Sequence, residues 1–254
     1  MEILELQLDE LTGRLERDFG KGQYHASALY REILKSGNKR FDTAKEFVMS
    51  PVFAEKIKNK ITLTPGMVIE TIKENNLIKF ITQLSDGQKI ESVIIPMTNH
   101  QTLCVSSQVG CRMGCRFCET AKMGFKRNLR VAEITGQLFN ARFFLKEKIK
   151  NIVFMGMGEP FDNFDPVIRA IRIMNEQKGF DISLRHITIS TAGLTGGIEK
   201  LASLKMMGLR LAVSINTPDD QTRSWLMPVN RNAPLQQLKK ALENFVLPKR
   251  GCFL

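Results

Sequence analysis

The sequence predicts an α/β protein built as a partial (β/α) barrel, with about four βα units and the start of a fifth. Three observations carry that expectation. From residue 101 onward, short β-branched apolar runs alternate with amphipathic stretches of helical period. Each run leads into a turn rich in Gly, Ser, Cys or Glu, where parallel α/β folds gather reacting groups. A chain of 254 residues that is 43% hydrophobic suffices for one large core with a small satellite.

Residues 1–60 read as a helical accessory module. It comprises LDELTGRLERDF, then HASALYREILKSG with Gly37 as its stop, then SPVFAEKIKNKI with Ser50 as N-cap and Pro51 at the first helical position. Residues 61–98 read as a β-hairpin linker, LIKFITQL and KIESVIIPM joined around Asp86-Gly87. Residues 99–254 form the core. Its first strand is QTLCVSS, followed by a cysteine-rich loop and the helix RVAEITGQLFNARFFLKE. NIVFMGM and PVIRAIRIMNEQKG make the second unit, HITIST and GIEKLASLKMMG the third, LRLAVSIN and LQQLKKALENFV the fourth. RGCFL starts a fifth strand, and a parallel sheet does not normally finish on a lone apolar strand, so the barrel reads as incomplete at its C-terminus.

Lys and Arg outnumber Asp and Glu by 37 to 26, a net charge of +11 spread along the chain, which suits a polyanionic partner. No run of eighteen apolar residues occurs and the N-terminus, MEILELQLDE, is acidic. Neither a membrane span nor a secretory signal is readable, and a cytoplasmic location is expected. Of the 5 cysteines, three stand within CRMGCRFC, too bunched for a disulfide framework and suited to metal or catalytic work in a reducing compartment.

Cys111, Cys115 and Cys118 supply three corners of one metal centre, and Gly110 and Gly114 let the backbone fold tightly around it. The fourth corner is open. A closed zinc site would have to recruit Cys104, Cys252 or His100, whereas an iron-sulfur cluster uses an open iron to bind a ligand. Strand alternation puts Thr102, Cys104 and Ser106 on one face and Leu103 and Val105 on the other.

With CVSSQVGCRMGCRFCETAKMGFKRNLRVAEITGQ, IVFMGMGEPFDNFD, ITISTAG, LAVSINTPDD and LMPVNR in place, the chain resembles the radical S-adenosylmethionine superfamily. Within it the chain is similar to the RNA adenine-C2 methyltransferases of the RlmN/Cfr type, across essentially its whole length. The resemblance implies a 4Fe-4S cluster on Cys111, Cys115 and Cys118. It implies S-adenosylmethionine contacts at Gly158, Glu159, Ser190, Ser214 and Asn216, with Glu159 accepting from the cofactor's ammonium group. Cys104 matches the second thiol that helps release the methylated base, and Glu91 the proton acceptor. The implied partners are 23S rRNA and tRNA and an electron donor such as flavodoxin or ferredoxin, acting on a monomer.

The family's methyl-carrying cysteine lies beyond the last residue here, and its role does not transfer to Cys252, an ordinary strand cysteine. This form is therefore expected to bind cluster and cofactor without completing methyl transfer. ETAK, Glu119–Lys122, stands where many members carry Ala-Thr-Gly, which bears on substrate preference and leaves the ligand spacing intact. Two rival functions remain: a radical enzyme on a non-RNA substrate, and a non-catalytic RNA-binding remnant.

Overall fold

A computed structural model of the chain describes residues 1–245. RGCFL, with Cys252 and the expected fifth strand, lies outside the described residues. The N-terminal segment is helical as expected: α1 (Leu8–Phe19), α2 (Gln23–Leu29), α3 (Lys45–Val48) and α4 (Pro51–Lys58). A π-helical turn over Tyr30–Lys35 prolongs α2 before Gly37. Pro51 opens α4, but Ser50, at the N-cap position, makes no side-chain cap bond. Its ψ of 59° departs from the extended backbone that aims a cap oxygen at the first amides.

Three antiparallel strands follow, β1 (Met67–Glu74), β2 (Leu77–Gln83) and β3 (Lys89–Pro96), then β4 (Gln101–Cys104). The β2–β3 hairpin turns near Gly87 as expected. It is not a detached linker, because β3 pairs with β4 and both strands continue the central sheet. Strand β1 is an addition to the expected elements. Glu74 pairs with Leu77 across Asn75-Asn76, whose φ values of 48° and 67° are the left-handed pair that a type I′ turn requires.

The remainder runs β5 (Gln108–Val109), α5 (Glu119–Lys122), β6 (Arg127–Asn128), α6 (Val131–Phe139), β7 (Ile149–Phe154), α7 (Phe164–Asn175), β8 (Ile187–Thr191), α8 (Thr195–Ser203), β9 (Arg210–Val213), α9 (Asp220–Leu226) and α10 (Leu235–Glu243). The sheet order is β1-β2-β3-β4-β7-β8-β9, with β4, β7, β8 and β9 mutually parallel. Parallel strands adjacent in chain order are the wall of a barrel, not a doubly wound sheet.

Register assigns the two faces. Val93 pairs with Cys104, Cys104 with Val153, Val153 with Thr188, and Ser190 with Ala212. Side chains alternate along each strand, so Glu91, Cys104 and Ser190 share one face. The opposite face carries Ile94, Leu103, Ile152, Phe154, Ile189 and Leu211, all buried in the main hydrophobic cluster. Helix α6 belongs to that cluster and is buried at all nine positions, as expected of a helix enclosed on every side.

Candidate active site

The cysteine loop spans β5 to β6 and is closed at its neck. Val109 pairs with Arg127 there, and the Lys126 N–H donates to the Val109 carbonyl at 2.9 Å. Gly110 occupies the neck with φ +74°, and a Cβ on it would lie 1.7 Å from the Gly124 carbonyl oxygen. Only glycine lets the two sides of the loop meet.

Within the loop Cys111 is buried and Cys115 and Cys118 are half-buried. Two arginines tie the loop to its neighbours. Arg112 Nε donates to Asp162 Oδ2 at 2.8 Å, and its guanidinium lies 3.7 Å from the centroid of the Phe125 ring. The Arg116 N–H donates to the Leu226 carbonyl at 2.9 Å, and its guanidinium lies 4.6 Å from the Trp225 ring.

Burial pushes the Cys111 thiol up to about 11, with the charges of Glu159, Cys115 and Cys118 adding to it. Cys115 is raised for the same first reason, then by Cys118. Thiols placed this way resist ionising together unless a cation joins them. Among the described residues, no three His, Cys, Asp or Glu side chains lie close enough to hold a single ion. Three mutually interacting thiols on one closed loop suit a wider, multi-iron group.

The GEP turn lies against the residue that starts the loop. Gly158 has φ +99°, and a Cβ on it would fall 2.5 Å from Gln108 Cβ. Gln108 Oε1 accepts from the Glu159 N–H at 2.9 Å, while its Nε2 donates to Asp162 Oδ2 at 2.7 Å and Asn128 Oδ1 at 2.8 Å. Glu159 is only 3% exposed. Its carboxylate accepts from the Phe161 N–H at 3.1 Å and from the Ala192 N–H, in the turn after β8, at 2.8 Å. Burial pushes this carboxyl up to about 7, against the pull of those two amides and the Thr191 hydroxyl. No cationic side chain pairs with it among the described residues, so a ligand's ammonium group would complete its surroundings.

Ser190 and Ser214 are half-buried at the ends of β8 and β9, and Asn216 is exposed with φ +65°. What holds these loops is Arg223 on α9, a residue and a helix that sequence reasoning missed. Its guanidinium is fully buried and donates to the carbonyls of Ala192 at 2.8 Å, Ser214 at 3.0 Å and Ile215 at 3.1 Å, and to Asn230 Oδ1. The readable signal was Asp219, whose carboxylate caps α9 by accepting from the N–H groups of Gln221 and Thr222. Gln108 and Asp162 were also missed; their polar bonds form only in the fold.

Cys104 and Glu91 stand together on the sheet face that carries Ser190. Burial pushes the Cys104 thiol up to about 11, and the Glu91 charge adds to the shift while the Met155 amide opposes it. Glu91 pairs with Lys79 Nζ at 3.0 Å, and its carbonyl accepts from the Ser106 hydroxyl at 2.6 Å.

Comparison with known proteins agrees with this arrangement. Residues 105–246 match the radical SAM superfamily. The probable dual-specificity RNA methyltransferase RlmN 1 of Protochlamydia amoebophila is 39% identical over 251 residues, 96% of this chain and 68% of that protein. The dual-specificity RNA methyltransferase RlmN of Syntrophus aciditrophicus is 40% identical over 253 residues, 98% of this chain and 71% of that protein. The crystal structure of a radical SAM methyltransferase from Sphaerobacter thermophilus superposes with a TM-score of 0.87 at 33% identity, covering 97% of this chain and 72% of that one. Relatives of this kind carry a 4Fe-4S cluster and S-adenosylmethionine, and the closed trio of thiols and the buried Glu159 carboxylate fit both groups. The chain belongs to the RlmN family of radical S-adenosylmethionine methyltransferases.

Proposed function

We propose that the chain carries the cluster- and cofactor-binding core of an enzyme that methylates carbon 2 of an adenine in 23S rRNA and in tRNA. The observation that carries the reading is geometric: Glu91, Cys104 and Ser190 share one sheet face, whose strands end at the cysteine loop, the GEP turn and the turn after β8. In it, Cys111, Cys115 and Cys118 hold the cluster, and Gly158, Glu159, Ser190, Ser214 and Asn216 hold S-adenosylmethionine. Bound there, the two cofactors would supply reductive radical chemistry and the methyl group.

The chain's own residues do the rest. Glu159 offers an unpaired carboxylate in a buried site, where a charge-assisted bond to an ammonium is strong. Cys104 rests as a thiol, because burial holds its proton, and acts as a nucleophile only when a neighbouring base removes that proton. Glu91 acts as proton acceptor, held in place by Lys79. RNA as substrate rests on the relatives named dual-specificity RNA methyltransferases and on the net charge of +11. A flavodoxin or ferredoxin type of electron donor completes the system.

Deleting the gene from the organism that carries it, then digesting its RNA for mass spectrometry, tests the proposal. 2-Methyladenosine should vanish from 23S rRNA and tRNA, return with the wild-type gene and stay absent with Cys111→Ala. Persistence of 2-methyladenosine in both RNAs after deletion would sink it.

A further inference from the structure

A wide concavity lies away from the cysteine loop. A groove of about 1480 Å³ opens at the amino ends of the parallel strands, where Gln101 starts β4, Ile149 starts β7 and His186 precedes β8. It is lined by five lysines and one arginine against three carboxylates. Two of those carboxylates are engaged: Asp181 pairs with Lys35 at 3.2 Å, and Glu147 accepts from Gln101 Nε2 at 2.6 Å. Arg142 is spent on the carbonyls of Phe180 at 2.6 Å and Ile149 at 3.1 Å.

Lys73, Lys146, Lys148 and Lys150 are different. All four are exposed, and none has a carboxylate partner among the described residues. Three of them crowd the segment from α6 to β7, where Lys146 adopts φ +60°. Four like charges facing one groove repel one another unless an anion joins them. Two histidines of the lining are bridged by Asn151, which contacts His100 Nε2 at 2.8 Å and His186 Nδ1 at 2.8 Å. Burial and the nearby charges of Arg185, Lys150, Arg210 and His100 all hold the His186 ring below its ordinary value, an independent sign that the local field is positive.

We propose that this groove is a second RNA contact, gripping the phosphate backbone of a folded RNA at a point remote from the base that enters near the cysteine loop. The inference rests on the reading above that RNA is the substrate. Strand β7, six residues long, separates the two ends of the sheet by about 20 Å at ~3.3 Å per residue. A phosphate in the groove and a base at the loop are therefore about six stacked nucleotides apart at ~3.4 Å per nucleotide, or belong to different segments of one folded molecule. A trinucleotide engages only one end.

The test uses the whole reconstituted protein and a variant carrying Lys146→Glu, Lys148→Glu and Lys150→Glu, with two probes: a tRNA transcript and a single strand of about three nucleotides. Binding is measured across a salt series. For the transcript, the variant should lose at least tenfold in affinity at low salt, and the log–log salt slope should fall by about 2 to 3. Binding of the short strand, iron content and S-adenosylmethionine affinity should not change. An unchanged salt slope for the transcript overturns the proposal, and so does an equal loss for both probes, which would be bulk charge. A milder Lys→Ala triple should show the same selectivity for the transcript. If the wild-type protein binds neither RNA, the substrate reading itself fails, a result distinct from a groove that plays no part.

Discussion

Glu159 shows how a buried carboxyl becomes a pH-dependent term in stability. Its folded value of about 7 stands above the 4.5 of an unperturbed glutamate. A raised acid contributes stability that is fully present below 4.5 and is lost as pH rises through 7, because the unfolded chain ionises first. The size is about 3 kcal/mol, at ~1.4 kcal/mol per pH unit. Urea unfolding of the cofactor-free protein at pH 5 and pH 8 should show this loss, and Glu159→Gln should remove most of the difference. Added S-adenosylmethionine should stabilise the wild type more than the variant at pH 8, since only a carboxylate pairs with its ammonium group. Cys104 is governed by the same physics, burial disfavouring its anionic form. A thiol at about 11 leaves very little thiolate at neutral pH, so iodoacetamide at pH 7.5 should modify Cys104 about a hundredfold more slowly than a free cysteine. Peptide mapping reads this directly, and fast labelling would mean that the site does not protect its proton.

At the scale of elements, the closed loop and α9 decide whether the site assembles. Gly110→Ala places a Cβ against the Gly124 carbonyl, so the loop must open at its neck. The variant should take up well under half the iron of the wild type on reconstitution. Gly87→Ala is the control, because its φ of +82° is similar but nothing lies within 4 Å of the added carbon; it should cost about 1 kcal/mol and leave iron uptake intact. Arg223→Met removes the donors from three carbonyls and the Asn230 side chain, a loss of about 3 to 5 kcal/mol, or a melting temperature lower by roughly 6 to 15 °C. The four βα units were readable in advance because each strand is a short, largely apolar run, buried on both sides in HITIST. Helix α9 was not, because Arg223 is its only buried residue and no apolar stripe marks it. Strand β1 was missed for a related reason: all but one of its residues are exposed, and only the Asn75-Asn76 pair announces its turn.

The whole molecule tells how far a reading by segments holds. The cysteine loop and the GEP turn could be placed after their strands in advance, since local sequence alone sets both. Gln108, Asp162 and Arg223 could not, since each acts across separations of 20 or more residues or through buried backbone carbonyls. The helical segment over residues 1–60 reads in sequence as a module, yet its contacts reach deep into the rest. Thr135 Oγ1 donates to the Leu4 carbonyl at 2.8 Å and Arg169 Nε to the Glu5 carbonyl at 2.8 Å. Ile3, Leu4, Leu11 and Leu15 join the same hydrophobic cluster as α6 and α7. Removing the segment would uncover the apolar faces of α6 and α7, at about 25 cal/mol per Å². The chain should therefore unfold as one cooperative unit. Far-UV circular dichroism reports all helices, whereas fluorescence of Trp225, the chain's 1 tryptophan, reports α9 beside the cysteine loop. The two denaturation curves should coincide. An earlier loss of helical signal with fluorescence unchanged would show that the N-terminal helices melt alone, and that the shared cluster does not couple them to the site.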